Sequence, residues 1–213
     1  FLREVENGEL IVITDEGIES IKPFQKLTPR PCIFEYIYFS RPDSYLGGLS
    51  IYECRKSFGQ QLAKESPIDA DYVIPVPDSG VPSAIGFAEV SQIPYELGII
   101  RNHYVGRTFI EPQQAIRALS VKLKHNVNKS LVNGKKIALI DDSIVRGTTS
   151  TKIIEMLRES GATEVHMRIT SPPIKYPDFY GIDTPVQEQL LSANYTLEEI
   201  CNFLKADSIS FLS

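Results

Sequence analysis

The stretch KKIALIDDSIVRGTTSTKIIEMLRESGAT, residues 135–163, decides how this sequence is read. Ile137, Ala138, Leu139 and Ile140 form an unbroken apolar run, as expected of a strand covered on both faces. Asp141 and Asp142 stand at its carboxyl end, followed by a short turn containing Gly147 and the hydroxyls of Ser143, Thr148 and Thr149. A helix then begins, with Ile153, Ile154 and Leu157 on one face and a stop at Gly161. Two neighbouring carboxylates repel each other, so a cation or sugar hydroxyls should lie beside them. The N–H groups and positive dipole end of a helix start, with hydroxyls around them, suit a phosphate monoester. The same pattern is consistent with a plain helix cap in a solvated turn. It is also consistent with a phosphoacceptor pocket of the response-regulator kind, although that fold draws its acids from more than one strand. It is not a Walker A loop, because GxxxxGK[ST] is absent.

Outward from this stretch, short apolar runs alternate with helical patterns. DYVIPVP (residues 71–77), IPYELGII (93–100), KKIALI (135–140) and TEVHMRIT (163–170) are predicted strands, with helices in GVPSAIGFAEVSQ (80–92) and GTTSTKIIEMLRESGA (147–162). The alternation predicts an α/β fold with a doubly wound, mainly parallel sheet flanked by helices. Ligands of such sheets bind beyond the carboxyl ends of the strands. The loops after VIPV and IALI are therefore where chemistry is expected.

The rest of the chain sets bounds. Its 213 residues are 42% hydrophobic and 23% charged, enough for one large domain with a small appendage. A net charge of −5 argues against a general nucleic-acid or anionic-membrane binder. Cys32, Cys54 and Cys201 are scattered and without CxxC spacing, which fits a reducing, cytoplasmic setting rather than a disulfide framework. No apolar run approaches the ~20 residues of a membrane span, and no signal peptide is visible. The first residue is Phe, so the chain is read as a fragment. GELIVITDEGIES (8–20) predicts a strand ending in a turn, and IKPFQKLTPRPC (21–32), with three prolines, a linker. The expected boundary falls at about residue 21.

IALIDDSIVRGTTS resembles the phosphoribosyl pyrophosphate signature of type I phosphoribosyltransferases. Together with CIFEYIYFSRPDS (32–44), NHYVGRTFIEP (102–112) and YGIDTP (180–185), it resembles the amidophosphoribosyltransferases, in order and over nearly the whole chain. In that family a glutaminase half supplies ammonia and a second half adds it to phosphoribosyl pyrophosphate, releasing pyrophosphate and phosphoribosylamine. The resemblance implies that residues 1–21 end the glutaminase half and residues 22–213 form the phosphoribosyltransferase domain, without the glutaminase nucleophile. It implies that Asp141 and Asp142 bind the ribose hydroxyls and help place Mg²⁺, and that Ser143, Val145, Arg146, Gly147, Thr148 and Thr149 hold the 5′-phosphate. PVPDSG (75–80) matches the pyrophosphate loop, giving Asp78 and Ser79 substrate contacts and Ser79 a further link to magnesium. The segment 101–124 has five Lys or Arg and one acid, Glu111, and matches a flexible catalytic loop in which Arg101, Tyr104 and Arg107 take part. Purine nucleotide inhibitors and a homo-oligomeric full-length enzyme are implied as well.

Two departures from the family pattern stand out. RNHYVGRTF places Arg101 where Lys is usual and His103 where Arg is usual, which changes the loop's charge and hydrogen-bonding geometry. Some relatives carry an iron–sulfur cluster with a cysteine in PPIKYPCF. Here the position is Asp178, so no cluster is expected and Cys32 is predicted to be an ordinary buried cysteine. Two other readings stay open on the residues: a salvage enzyme that uses a nucleobase in place of ammonia, and a non-catalytic sensor of phosphoribosyl pyrophosphate.

Overall fold

The computed structural model describes residues 3–102, 124–179, 184 and 186–213. The chain divides into two compact units, up to Glu35 and from Tyr36 onward. The first holds an antiparallel hairpin, β1 (Leu10–Thr14) and β2 (Gly17–Ile21), in which Thr14 pairs with Gly17 across a two-residue turn. The predicted strand with a turn is thus the first arm and turn of a hairpin. Cys32 is exposed, which corrects its expected burial. It follows Pro31 in a stretch without regular structure, where no core forms around it.

The second unit opens with two-residue strands, β3 (Tyr45–Leu46) and β4 (Leu49–Ser50), and α1 (Ile51–Glu65). It then runs through β5 (Tyr72–Pro75), α2 (Val81–Ser91), β6 (Ile99–Arg101), β7 (His125–Val127) and a single turn, α3 (Lys129–Val132). After these come β8 (Lys136–Asp141), α4 (Thr148–Glu159), β9 (Glu164–Ile169), α5 (Leu191–Asn194), α6 (Leu197–Leu204) and β10 (Ser208–Phe211). The central sheet has the order β10-β9-β8-β5, and every pairing in it is parallel.

Side chains alternate across this sheet, and each face has its own core. Ile74, Ile137 and Leu139 join Ile153, Ile154 and Leu157 of α4 and Ile200 and Leu204 of α6 on one face. Val73, Ala138 and Ile140 meet Leu62 of α1 and Ala84 and Phe87 of α2 on the other. All seven apolar side chains of β8 and β9, Ile137, Ala138, Leu139, Ile140, Val165, Met167 and Ile169, are fully buried, as the continuous apolar run of β8 requires. α1 and α2 approach through glycines: a Cβ on Gly59 would lie 1.8 Å from Ser83 O, and one on Gly86 2.0 Å from Lys56 O.

The predicted strand over 93–100 forms only in part. Ile99–Arg101 pairs with His125–Val127 in a separate antiparallel ribbon. Upstream, Val73 N–H donates to Pro94 O and Glu96 N–H to Val73 O, at 2.9 and 3.0 Å. Pro94 has no N–H to extend that pairing into a ladder.

Candidate active site

Parallel pairing of β5 and β8 sets the geometry of the site. Pro75 lies opposite Ile140, and Val76 N–H donates to Ile140 O at 2.8 Å, so the PVPDSG loop and the acidic pair leave the sheet side by side. The loop closes tightly, with Gly80 N–H donating to Val76 O at 2.9 Å; its Pro77–Asp78 peptide is cis. A Cβ on Gly80 would sit 2.5 Å from Ile140 O, so glycine is required for the two chains to pass this closely.

Asp141 and Asp142 are each 6% exposed. Asp142 N–H donates to Asp141 Oδ1 at 2.9 Å, and Ser143 Oγ donates to Asp142 Oδ1 at 2.5 Å. The Ser79 hydroxyl favours the charged form of Asp142, which couples the PVPDSG loop to the acid pair. Burial, and then the Asp142 charge beside it, push the Asp141 carboxyl well above the usual carboxylate range. Burial raises Asp142 too, opposed by the hydroxyls of Ser143 and Ser79 and by the charge of Arg55. Arg55 is itself buried in α1, and its guanidinium donates to Tyr36 O at 2.8 Å and Ser40 O at 2.7 Å. Thr170, at the end of β9, closes the floor by donating its N–H to Asp141 O at 3.0 Å.

The turn after the acids leads into α4. Ile144 is buried, whereas Val145 is half-buried and Arg146 exposed. Gly147 caps the helix with φ +75° and no side-chain acceptor, so the N–H groups of the first turn are left to a ligand or water. Thr148 is half-buried and Thr149 exposed on that turn. A second segment supports the loop: Leu191 N–H donates to Val145 O at 2.8 Å, and Arg146 Nε donates to Gln189 Oε1 at 3.0 Å.

Arg101, the last residue of β6, forms an ion pair with Asp78 of the PVPDSG loop. Arg101, Asp78, Ser79, Asp141, Asp142 and the 143–149 turn therefore gather at one end of the sheet. Tyr104 and Arg107 lie outside the described residues, as do all of NHYVGRTFIEP after Asn102 and all of YGIDTP except Thr184. Asp178 is half-buried, and its N–H donates to Thr184 Oγ1 at 2.5 Å. Sequence reasoning did not single out Arg55, Gln189 or Leu191. The two at 189 and 191 touch the turn from more than 40 residues away with no motif of their own.

A parallel sheet with helices on both faces, a tight loop after one strand and an acidic pair leading to a helix start after its neighbour define the type I phosphoribosyltransferase fold. No family model matches the chain. It is 57% identical over 219 aligned residues to an amidophosphoribosyltransferase of Rhizobium etli, covering 100% of this chain and 44% of that protein. It is 52% identical over 213 residues to that of Bacillus subtilis, covering 100% of this chain and 45% of that protein. The solved B. subtilis glutamine phosphoribosylpyrophosphate amidotransferase, complexed with ADP and GMP, superposes with a TM-score of 0.87 at 52% identity, over 100% of this chain and 47% of that one. Along its entire length the chain is related to the amidophosphoribosyltransferases and corresponds to their phosphoribosyltransferase portion. It spans less than half the length of these relatives.

Proposed function

We propose that this chain carries the phosphoribosyl-transfer half of an amidophosphoribosyltransferase, in which ammonia displaces pyrophosphate from 5-phosphoribosyl pyrophosphate. The nitrogen lone pair forms the C1–N bond as the C1–O bond breaks. Pyrophosphate leaves with that electron pair, and the resulting ammonium loses a proton to give 5-phosphoribosylamine. The observation that carries the reading is the junction of the two loops, where Val76 N–H donates to Ile140 O at 2.8 Å and the PVPDSG loop leaves the sheet beside Asp141 and Asp142. One bound substrate can span both, with its pyrophosphate on residues 77–80, its ribose hydroxyls on Asp141 and Asp142, and its 5′-phosphate on residues 143–149. Arg101, beside Asp78, is placed to offset charge gathering on the leaving group.

The donor set fits Mg²⁺, a hard cation that keeps several waters and takes few protein oxygens. Two buried carboxyls and the Ser79 hydroxyl, with both acids raised by burial and Asp141 also by the Asp142 charge, are a place where such a cation would lower the cost of ionisation. When bound, Mg²⁺ would neutralise pyrophosphate oxygens. We assign residues 1–21 to the end of a glutaminase half, and ammonia to glutamine hydrolysed there. Asp178 at a cysteine position supports a domain without an iron–sulfur cluster. By analogy with the nucleotide-bound B. subtilis relative, purine nucleotides are proposed inhibitors. A homo-oligomer in the cytoplasm completes the proposal. Among the described residues no helix is long and apolar enough to cross a membrane, and an Arabidopsis relative is named as chloroplastic.

The test is pyrophosphate release from 5-phosphoribosyl pyrophosphate and Mg²⁺, with ammonium salt in one set and nucleobases in another. The proposal expects release with ammonium alone, abolished by a chelator and by Asp141→Asn with Asp142→Asn. Release that needs a nucleobase would transfer the chain to salvage chemistry. Normal turnover in the double variant would remove the acid pair from the mechanism.

A further inference from the structure

The turn that receives the 5′-phosphate in the proposed function is not shaped by its own residues alone. The segment at Gln187–Gln189 and α5 forms a wall behind it. Leu191 N–H bonds to Val145 O at 2.8 Å, and the Leu191 side chain is 4% exposed. A Cβ placed on Gly147 would meet Leu191 Cδ2 at 2.9 Å and Phe203 Cε1 at 3.1 Å, so the wall lies directly against the residue that begins α4. Within this arrangement Gln189 Oε1 accepts from Arg146 Nε at 3.0 Å. An arginine held through Nε keeps its two terminal nitrogens free for a bidentate contact with a phosphate and loses rotamer freedom before the ligand arrives. Among the described residues no carboxylate pairs with Arg146, and its partner Gln189 is neutral, so its charge is not spent on the wall.

We infer that Gln189 is a positioning residue for the sugar-phosphate site, orienting the Arg146 guanidinium toward the 5′-phosphate while leaving its charge uncompensated. This rests on the proposed function, which places a phosphate on residues 143–149. Gln189 is exposed and bonded only at the surface, so its removal should leave the fold intact.

The test measures binding of two probes to the full chain, wild type and Gln189→Ala, with melting temperature as the folding control. Ribose 5-phosphate occupies the sugar-phosphate half, and pyrophosphate the other loop. The inference expects the Kd for ribose 5-phosphate to rise about three- to tenfold, the net worth of one ordinary hydrogen bond, since only the pre-orientation of Arg146 is lost, with pyrophosphate unaffected. In turnover, KM for 5-phosphoribosyl pyrophosphate should rise in proportion, with kcat nearly constant. Gln189→Glu, which keeps the acceptor but neutralises Arg146, should also weaken ribose 5-phosphate; unchanged binding in it would overturn the part of the inference that requires an uncompensated Arg146 charge. Equal Kd values for ribose 5-phosphate in wild type and Gln189→Ala would overturn the inference alone. A wild-type chain that binds neither probe would overturn the proposed function beneath it.

Discussion

Gly147 and Gly134 offer a matched pair for testing the wall behind the phosphate turn. Both are left-handed, with φ of +75° and +77°. Alanine at either position incurs the penalty of a side chain in that region, about 1–2 kcal/mol, and each substitution narrows the unfolded ensemble equally. They differ in what the new methyl meets. At Gly134 nothing lies within 4 Å, whereas at Gly147 it meets Leu191 Cδ2 at 2.9 Å, Phe203 Cε1 at 3.1 Å and Leu204 Cδ2 at 3.3 Å. Phe203 is 49% exposed and can swing away, but Leu191 and Leu204, at 4% and 0%, are fixed in the core. Crowding a packed site of this kind costs roughly 1–3 kcal/mol, softened here because side-chain ends, not backbone, must give. Gly147→Ala should therefore lose about 1–2 kcal/mol more than Gly134→Ala, or about 2–8 °C in melting temperature for a chain of this size. Urea titrations monitored by two probes would give both values. Ribose 5-phosphate binding should weaken only in Gly147→Ala, because only there does the turn shift. Equal stability losses in the two variants would show that the wall does not press on Gly147 and would refute the reasoning.

Two further predictions concern charge. The raised carboxyls of Asp141 and Asp142 hold their protons more tightly folded than unfolded, so the stability they contribute is fully present below the unfolded carboxylate pKa of about 4 and is lost as pH rises through their folded values. The melting-temperature advantage of Asp141→Asn over wild type, measured with a chelator present, should therefore widen from pH 4 upward and then level off; a constant gap would contradict the burial assigned to the pair. Asp78→Asn should leave stability almost unchanged, since its pair with Arg101 is 55% and 38% exposed and such pairs contribute about 1 kcal/mol or less. It should tighten pyrophosphate binding a few-fold by releasing Arg101 and removing a like charge, and weaker binding by calorimetry would count against Arg101 as the leaving-group cation.

The central strand, the acid pair and α4 were legible because each announces itself locally. A run of four apolar residues can only be covered on both faces, and Ile153, Ile154 and Leu157 repeat at helical spacing. α1 was not legible in that way. Two of its buried positions are Arg55, whose guanidinium is spent on Tyr36 and Ser40 carbonyls, and Gly59, which is needed for contact with α2. Neither residue type reads as core, so the apolar stripe is broken in the sequence though continuous in space. β10 was missed for a different reason. SISF is short and half polar, and its place beside β9 depends on partners such as Ser208, whose hydroxyl accepts from Arg168 Nη1 at 3.0 Å. At the site, the motif residues were readable because their chemistry is concentrated in ten positions. Gln189 and Leu191 were not, because what makes them matter is the long return of the chain to Val145.

The two acids differ in how the protein answers their burial, and the difference bears on what the site is for. Asp142 receives the hydroxyls of Ser143 and Ser79 and lies within the field of Arg55, three contributions that favour its charged form. Asp141 is raised as well, by burial and then by the Asp142 charge, and the donor that reaches its Oδ1 is the backbone N–H of Asp142. A fold selected for stability alone would gain by replacing Asp141 with a neutral or apolar residue, since an unmatched buried carboxyl costs more than it returns. Its retention beside a partner supported by two hydroxyls and an arginine fits a group whose remaining donors come from outside the chain. The ribose hydroxyls and a hydrated cation are donors of that kind, and they would reach Asp141 at the carboxyl end of β8, where Pro75 and Gly80 bring the pyrophosphate loop alongside. Under the proposed function, Asp142 would then organise the site and Asp141 would meet the sugar. Asp142→Asn should then disturb both pyrophosphate and ribose 5-phosphate binding, whereas Asp141→Asn should act on the sugar probe first, and the reverse order of effects would invert the two assignments.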